Sequence, residues 1–276
     1  MSNSIGLFDS GTGGLSVLKN AIKKIHNKNF VYLGDTGRMP YGVRKPEEIR
    51  DFTLEAMGFL QDKDVDLSVI ACNTATVHGL EASQEKYDYP ILGIISWGSL
   101  DSVEMTHNRK IALIGTESTV NSKVYDNTIK GLDPRIEVKS IACQDLVLPI
   151  ERGEFDEDHM ERLIRNHLEE FGDFDYDTII LGCTHFPIVK KSFKNIYKKD
   201  NRNVRIINPA YLSIKKTMEI LNIEEDNEPL DERTIDFYLT GDIDMFKHTL
   251  DQYLDLSEFK VSFNHVDAND LNKYLK

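Results

Sequence analysis

Short apolar runs alternate along the chain with longer stretches in which apolar residues recur every three or four positions. The runs at 4–8 (SIGLF), 29–34 (NFVYLG), 66–72 (DLSVIAC) and 89–95 (YPILGII) predict buried strands, each followed by a polar or glycine-rich turn and a helical pattern. Near-continuous apolar runs, rather than strict alternation, mark parallel strands covered on both faces. The pattern restarts at 110–115 (KIALIG), runs through 136–143 (IEVKSIAC), 177–183 (DTIILGC) and 204–208 (VRIIN), and closes near Asn208. Two parallel α/β sheets of four strands are therefore expected. The acidic run 224–233 (EEDNEPLDER) reads as a solvated linker to a tail, 234–254, with the pattern strand, turn, helix.

The two halves resemble each other. Residues 64–74 (DVDLSVIACNT) align without a gap to 175–185 (DYDTIILGCTH), which pairs Cys72 with Cys183. Residues 5–17 likewise match 111–123. Two matches in the same order argue for a duplicated unit, and hence for two similar doubly wound lobes. The lobes are expected to comprise residues 1–96 plus 209–276, and residues 97–208, with the site between them.

Composition narrows the function. With 33 Lys and Arg against 46 Asp and Glu the formal charge is −13, and no basic stripe interrupts it, so nucleic acid is not an expected partner. No stretch approaches the roughly 18 apolar residues of a membrane span, and the first residues (MSNSIGLFDS) lack the pattern of a secretory signal, so a cytoplasmic protein is expected. Three cysteines without an export signal predict free thiols. Neither CxxC nor HExxH occurs, and Cys183 with His185 leaves a zinc site short of ligands. No motif nominates a Schiff-base lysine for pyridoxal phosphate either. Neither metal nor cofactor is expected.

Ligands of open α/β sheets sit beyond the carboxyl ends of the strands, and Cys72 and Cys183 both fall there. Two facing lobes would aim two thiols into one cleft, an arrangement suited to inverting a stereocentre: one thiolate removes a proton and a thiol on the opposite face delivers another. Each of these cysteines is followed by polar residues suited to holding a thiolate at a helix N-terminus. Cys143, in SIACQD, has no such cluster and reads as a small buried apolar residue. His185, two residues after Cys183, reads as a tuner of proton transfer or as a structural cap. Asp9 reads as a turn residue, an assistant to a base, or both. The glycine-rich Gly11–Gly14 run lacks the spacing of a nucleotide loop, and its N–H groups are expected to receive an amino acid's carboxylate. A cysteine hydrolase using Cys183 with His185, and a two-lobed amino-acid binding module, remain open on these residues, although a hydrolase gives no reason for Cys72.

The segments GLFDSGTGGLSV, LGDTGRMPYG, ACNTAT, GCTHFP and FYLTGD, in this order over nearly the whole chain, closely resemble the cofactor-independent aspartate/glutamate racemases, glutamate racemases in particular. The resemblance implies interconversion of L- and D-glutamate by a homodimer, supplying D-glutamate for bacterial peptidoglycan. Racemisation of aspartate or another amino acid by the same two thiols is the nearer alternative. By the same resemblance Cys72 and Cys183 are the catalytic bases, Asp9 and His185 their polar assistants, and Glu151 a glutamate near the second cysteine. Asp9, Ser10, Tyr41, Gly42, Asn73, Thr74, Thr116, Thr119, Thr184 and His185 fall on substrate-contacting motifs. The segments 95–98 (ISWG) and 208–209 (NP) depart from the usual residues where the chain is expected to cross between lobes, and so bear on the hinge and on dimer packing.

Overall fold

A computed structural model describes residues 3–224 and 228–275. Residues 225–227 of the expected linker and the first two residues of the chain lie outside these. The first half runs β1 (Ser4–Asp9), α1 (Leu15–Lys24), β2 (Asn29–Gly34), α2 (Pro46–Asp62), β3 (Leu67–Ile70), α3 (Asn73–Lys86) and β4 (Ile91–Gly93). After α4 (Ile95–Met105) come β5 (Lys110–Gly115), α5 (Glu117–Asn121), α6 (Val124–Leu132), β6 (Glu137–Ala142), α7 (Val147–Glu151), α8 (Glu157–Glu169), β7 (Thr178–Gly182), α9 (Lys190–Lys199) and β8 (Arg205–Ile207). The chain ends with α10 (Ala210–Ile220), β9 (Arg233–Leu239), α11 (Ile243–Tyr253) and β10 (Phe259–His265).

All pairings are parallel. One sheet has six strands in the order β10-β9-β2-β1-β3-β4, the other four in the order β6-β5-β7-β8. Within the first, β2-β1-β3-β4 repeats the order of the second. The registers repeat too: Ile5 lies opposite Leu67 as Ile111 lies opposite Thr178, and these are the residues that the internal sequence alignment equates. The expectation of two four-stranded sheets is corrected by β9 and β10, which extend the first sheet beyond β2. In β10 Phe259, Val261 and Phe263 alternate with Lys260, Ser262 and Asn264, the period of a half-buried strand at a sheet edge.

The central strands β1, β3 and β7 are buried almost throughout, which is why their sequences are continuous apolar runs. The larger sheet has one core containing Leu7, Tyr32 and Phe237 and another containing Phe8, Leu60 and Ile70. The smaller sheet is covered around Leu181 and Phe193 and, separately, around Leu113 and Tyr125. Helix starts are set by local chemistry: Pro46 opens α2, Thr116 Oγ1 accepts from the Thr119 N–H before α5, and Asp242 accepts from two N–H groups of α11. The two departures noted in sequence meet in space. A Cβ on Gly98 would stand 2.8 Å from Pro209 Cβ, so only glycine lets α4 lie this close to the start of α10.

Candidate active site

Cys72 and Cys183 border one small cavity, reached from the carboxyl ends of β3 and β7. Cys72 caps α3, its sulfur accepting from the Ala75 N–H at 3.5 Å and lying 3.6 Å from Ser10 Oγ. A helix start ordinarily favours a thiolate. Here burial dominates, and the nearby Asp9 charge adds to it, so the Cys72 thiol is pushed up to about 12 despite the Ala75 and Ser10 hydrogen bonds. Burial thus works against the helix start at Cys72 and favours the protonated thiol there.

The second cysteine is built differently. Cys183 is followed by a 3-10 turn, Phe186–Val189, rather than directly by an α-helix. Its sulfur lies 3.6 Å from His185 Nδ1, and His185 Nε2 lies 2.6 Å from Glu151 Oε2. Burial opposes charge on the imidazole, but its hydrogen bonds to Cys183 and Glu151, with the charges of both, raise its pKa well above the ordinary value. Burial likewise opposes charge on Glu151, and is outweighed by the hydrogen bond and charge of His185 together with the Thr12 donors, so that carboxyl is held below its usual range. Glu151 ends α7 and reaches across to Thr12, whose N–H and hydroxyl donate to Oε2 at 2.9 and 2.7 Å.

Asp9 ends β1 and is fully buried. Its carboxylate accepts from Thr184 Oγ1 at 3.0 Å and from the Gly11 N–H at 2.9 Å. Burial raises its pKa to about 6, against the lowering effects of the His185 charge and of these two donors. Gly11 N–H thus serves Asp9 and Thr12 N–H serves Glu151, so these two N–H groups of the Gly11–Gly14 loop are committed within the protein. The glycines also have a steric role. A Cβ on Gly13 would lie 2.4 Å from Thr184 Oγ1 and 2.6 Å from His185 Nδ1, so the loop after β1 and the loop after β7 touch through bare backbone.

Of the residues nominated by sequence, Ser10, Tyr41, Gly42, Cys72, Asn73, Thr74, Thr116, Cys183, Thr184 and His185 line the cavity. Asp9, Glu151 and Thr119 stand behind it, each hydrogen-bonded to a lining residue: Asp9 to Thr184, Glu151 to His185, and Thr119 to Thr116 at 3.0 Å. Thr74 Oγ1 meets Thr116 Oγ1 at 2.9 Å, joining α3 to the start of α5 across the cavity wall. Asn73 Oδ1 accepts from Tyr125 OH at 2.7 Å while its buried Nδ2 has no partner. The Tyr41 hydroxyl is committed to Asp35, which also accepts from Arg38 and Thr240, so Tyr41 offers the cavity its ring and backbone rather than its O–H. Cys143, buried in the core of the smaller sheet, is absent from the cavity lining.

Met39, Pro40, Gln144 and Val147 also line the cavity and were not nominated by sequence. The rule that pointed to Cys72 and Cys183, residues just past the end of a parallel strand, reaches Gln144 as well, two residues after β6. Among the described residues no group of three or more His, Cys, Asp or Glu is placed to hold a metal ion, and no helix is long and apolar enough to cross a membrane.

Fold and site together define a two-lobed α/β enzyme that brings one thiol from each of two equivalent strand ends to the same cavity. The model of the Asp/Glu/hydantoin racemases matches residues 10–217. The chain belongs to this family. It is 36% identical over 265 residues to a glutamate racemase of Listeria monocytogenes, covering 95% of this chain and 97% of that one. Among solved structures, a glutamate racemase of Bacillus anthracis superposes with a TM-score of 0.85 at 31% identity, covering 96% of this chain and 97% of that one. A glutamate racemase of Francisella tularensis, in complex with D-glutamate, does so at 0.85 and 30%, covering 98% and 99%. The family resemblance read from the sequence motifs is borne out.

Proposed function

We propose that the protein interconverts L- and D-glutamate by proton transfer at Cα between Cys72 and Cys183, without a cofactor. One observation carries this reading: two thiols from duplicated strand ends line one cavity, with different polar partners. The substrate lies with Cα between the two sulfurs. One cysteine, as thiolate, takes the Cα proton; the electron pair passes into the α-carboxylate; and the other cysteine gives its proton to the opposite face. Cys72, kept protonated by burial, is the ready donor, with Asp9 and Ser10 close at hand. Charge on Cys183 is met by the His185 imidazole, which Glu151 and Thr12 hold in place. Asn73 Nδ2, a buried donor without a protein partner, suits a substrate carboxylate. Thr74, Thr116, Thr119 and Thr184 supply further uncharged donors and acceptors.

The same proposal takes residues 1–96 with 209–276 as one lobe and 97–208 as the other, with the contact of Gly98 against Pro209 at the crossing between them. It sets the enzyme in the cytoplasm, as a homodimer, supplying D-glutamate for peptidoglycan. The decisive experiment is incubation with L-glutamate in deuterated water, with no cofactor added and aspartate run alongside. D-glutamate should form with deuterium at Cα, because its new hydrogen comes from the thiol on the other face. D-glutamate without the label would refute the two-thiol reaction, and faster turnover of aspartate would refute the substrate.

A further inference from the structure

We propose that Gln144 is a specificity residue, meeting the far end of the substrate's side chain and selecting a distal carboxylate. This rests on the reading of the cavity as a glutamate site. Gln144 opens a 3-10 turn after β6, and its Oε1 is shut away from solvent, on the cavity wall, with no hydrogen-bond partner in the protein. A buried amide oxygen left unpaired is costly, so a group in this position is complete only with a ligand.

Position along the cavity says which part of the ligand it meets. A Cβ on Gly42 would lie 2.1 Å from Gln144 Oε1 and 2.9 Å from Thr116 Cβ, so Gly42, Thr116 and Gln144 are packed together. Gly42 also borders the outer groove with Arg44, His78 and Ser118, which makes this end the mouth. Asn73, the other lining residue with an unpaired buried amide atom, directly follows Cys72 and belongs to the thiol end. The α-carboxylate and α-ammonium are attached to the carbon between the thiols. The side chain is the substituent free to extend toward the mouth. A glutamine amide turns about its last bond to present NH₂ or C=O with nearly the same shape, so with the NH₂ turned inward it donates to a carboxylate oxygen. A glutamate in its place presents only acceptors and a like charge.

The test compares KM and kcat for glutamate and for glutamine in the wild type, Gln144→Glu and Gln144→Met, with thermal melting of each. Gln144→Glu should raise KM for glutamate about tenfold or more, with kcat within about threefold, and narrow the preference for glutamate over glutamine. Gln144→Met, nearly the same size, should raise KM less and in the same direction. Gln144→Met, apolar and nearly isosteric, should melt close to the wild type, whereas Gln144→Glu, which sets a carboxylate where the amide is shut away from solvent, should melt lower. Wild-type KM values in both variants, or a fall in kcat at unchanged KM, would overturn the assignment while leaving the racemase reading intact. A wild type inert toward glutamate would bring down both.

Discussion

Replacing Asp9 by Asn should stabilise the protein and disable it, by an amount that depends on pH. Asp9 is fully buried, and burial lifts its pKa from 3.8 to about 6. That rise corresponds to on the order of 3 kcal/mol spent keeping the carboxylate charged at neutral pH. The sign follows from linkage: a group whose pKa is raised by folding favours the folded state fully below pH 3.8, and this contribution is lost as pH rises through about 6. At pH 5 protonation of the folded form recovers about 1.4 kcal/mol, and at pH 8 almost none. Asparagine keeps both local hydrogen bonds, with Oδ1 toward the Gly11 N–H and Nδ2 toward the Thr184 hydroxyl, which turns to accept. Asp9→Asn should therefore gain on the wild type by about 1.4 kcal/mol more at pH 8 than at pH 5, or about 2–3 °C in Tm for a chain of this size. Comparing the two proteins at both pH values cancels the titrating groups that do not interact with Asp9. Activity should fall by about 100-fold or more if Asp9 assists Cys72 in proton transfer. A Tm difference that is the same at pH 5 and pH 8 would refute the raised pKa, and an active Asp9→Asn enzyme would refute the role.

Cys72→Ser and Cys183→Ser should each lose kcat/KM by several orders of magnitude, since a hydroxyl is a far weaker acid than a thiol, and the double variant should be hardly worse than either; near wild-type turnover by Cys72→Ser would be fatal to the two-thiol scheme. Cys143→Ser should keep kcat/KM within about threefold while losing about 1–3 kcal/mol in denaturant unfolding, because the new hydroxyl is buried in a core. Gly13→Ala should disrupt the site through contact alone, since its methyl would fall 2.4 Å from Thr184 Oγ1: activity should collapse with a loss of about 1–3 kcal/mol, and an active variant would show that the two loops can part freely.

Much of this organisation was legible in the sequence, for identifiable reasons. Strands buried on both faces appear as unbroken apolar runs, and duplication left Ile5 and Ile111 as matched letters, and Leu67 and Thr178 as aligned positions, at matched registers. The paired cysteines could be found because both the repeat and the strand-end rule pointed to them. What was hidden depends on contacts between distant segments. Nothing local to Glu151 says that its partners are Thr12, 139 residues earlier, and His185, 34 later. The Gly11–Gly14 run looked like an anion loop because glycine serves both exposed N–H groups and tight packing; only the approach of Thr184 and His185 distinguishes the two. A helix-capping cysteine suggested a thiolate because the burial that opposes charge on Cys72 is a property of the assembled lobes.

The duplication is preserved in the backbone and broken in the chemistry. The internal alignment sets Asp9 and Ser10 opposite Gly115 and Thr116, and Asn73 and Thr74 opposite Thr184 and His185. One thiol consequently stands beside a carboxylate and a hydroxyl, the other beside an imidazole anchored by Glu151. A reaction between mirror-image molecules gives such asymmetry little room to act. The two enantiomers have equal free energy in water, so the ratio of kcat/KM in the two directions must be one whatever the residues around each sulfur. The unlike partners can make kcat differ between the two directions only if KM differs by the same factor, by binding one enantiomer more tightly and turning it over more slowly. Two different supports for two equivalent bases are therefore compatible with a racemase. What they set is the surroundings each thiol offers an incoming substrate: a carboxylate and a hydroxyl at Cys72, an anchored imidazole at Cys183.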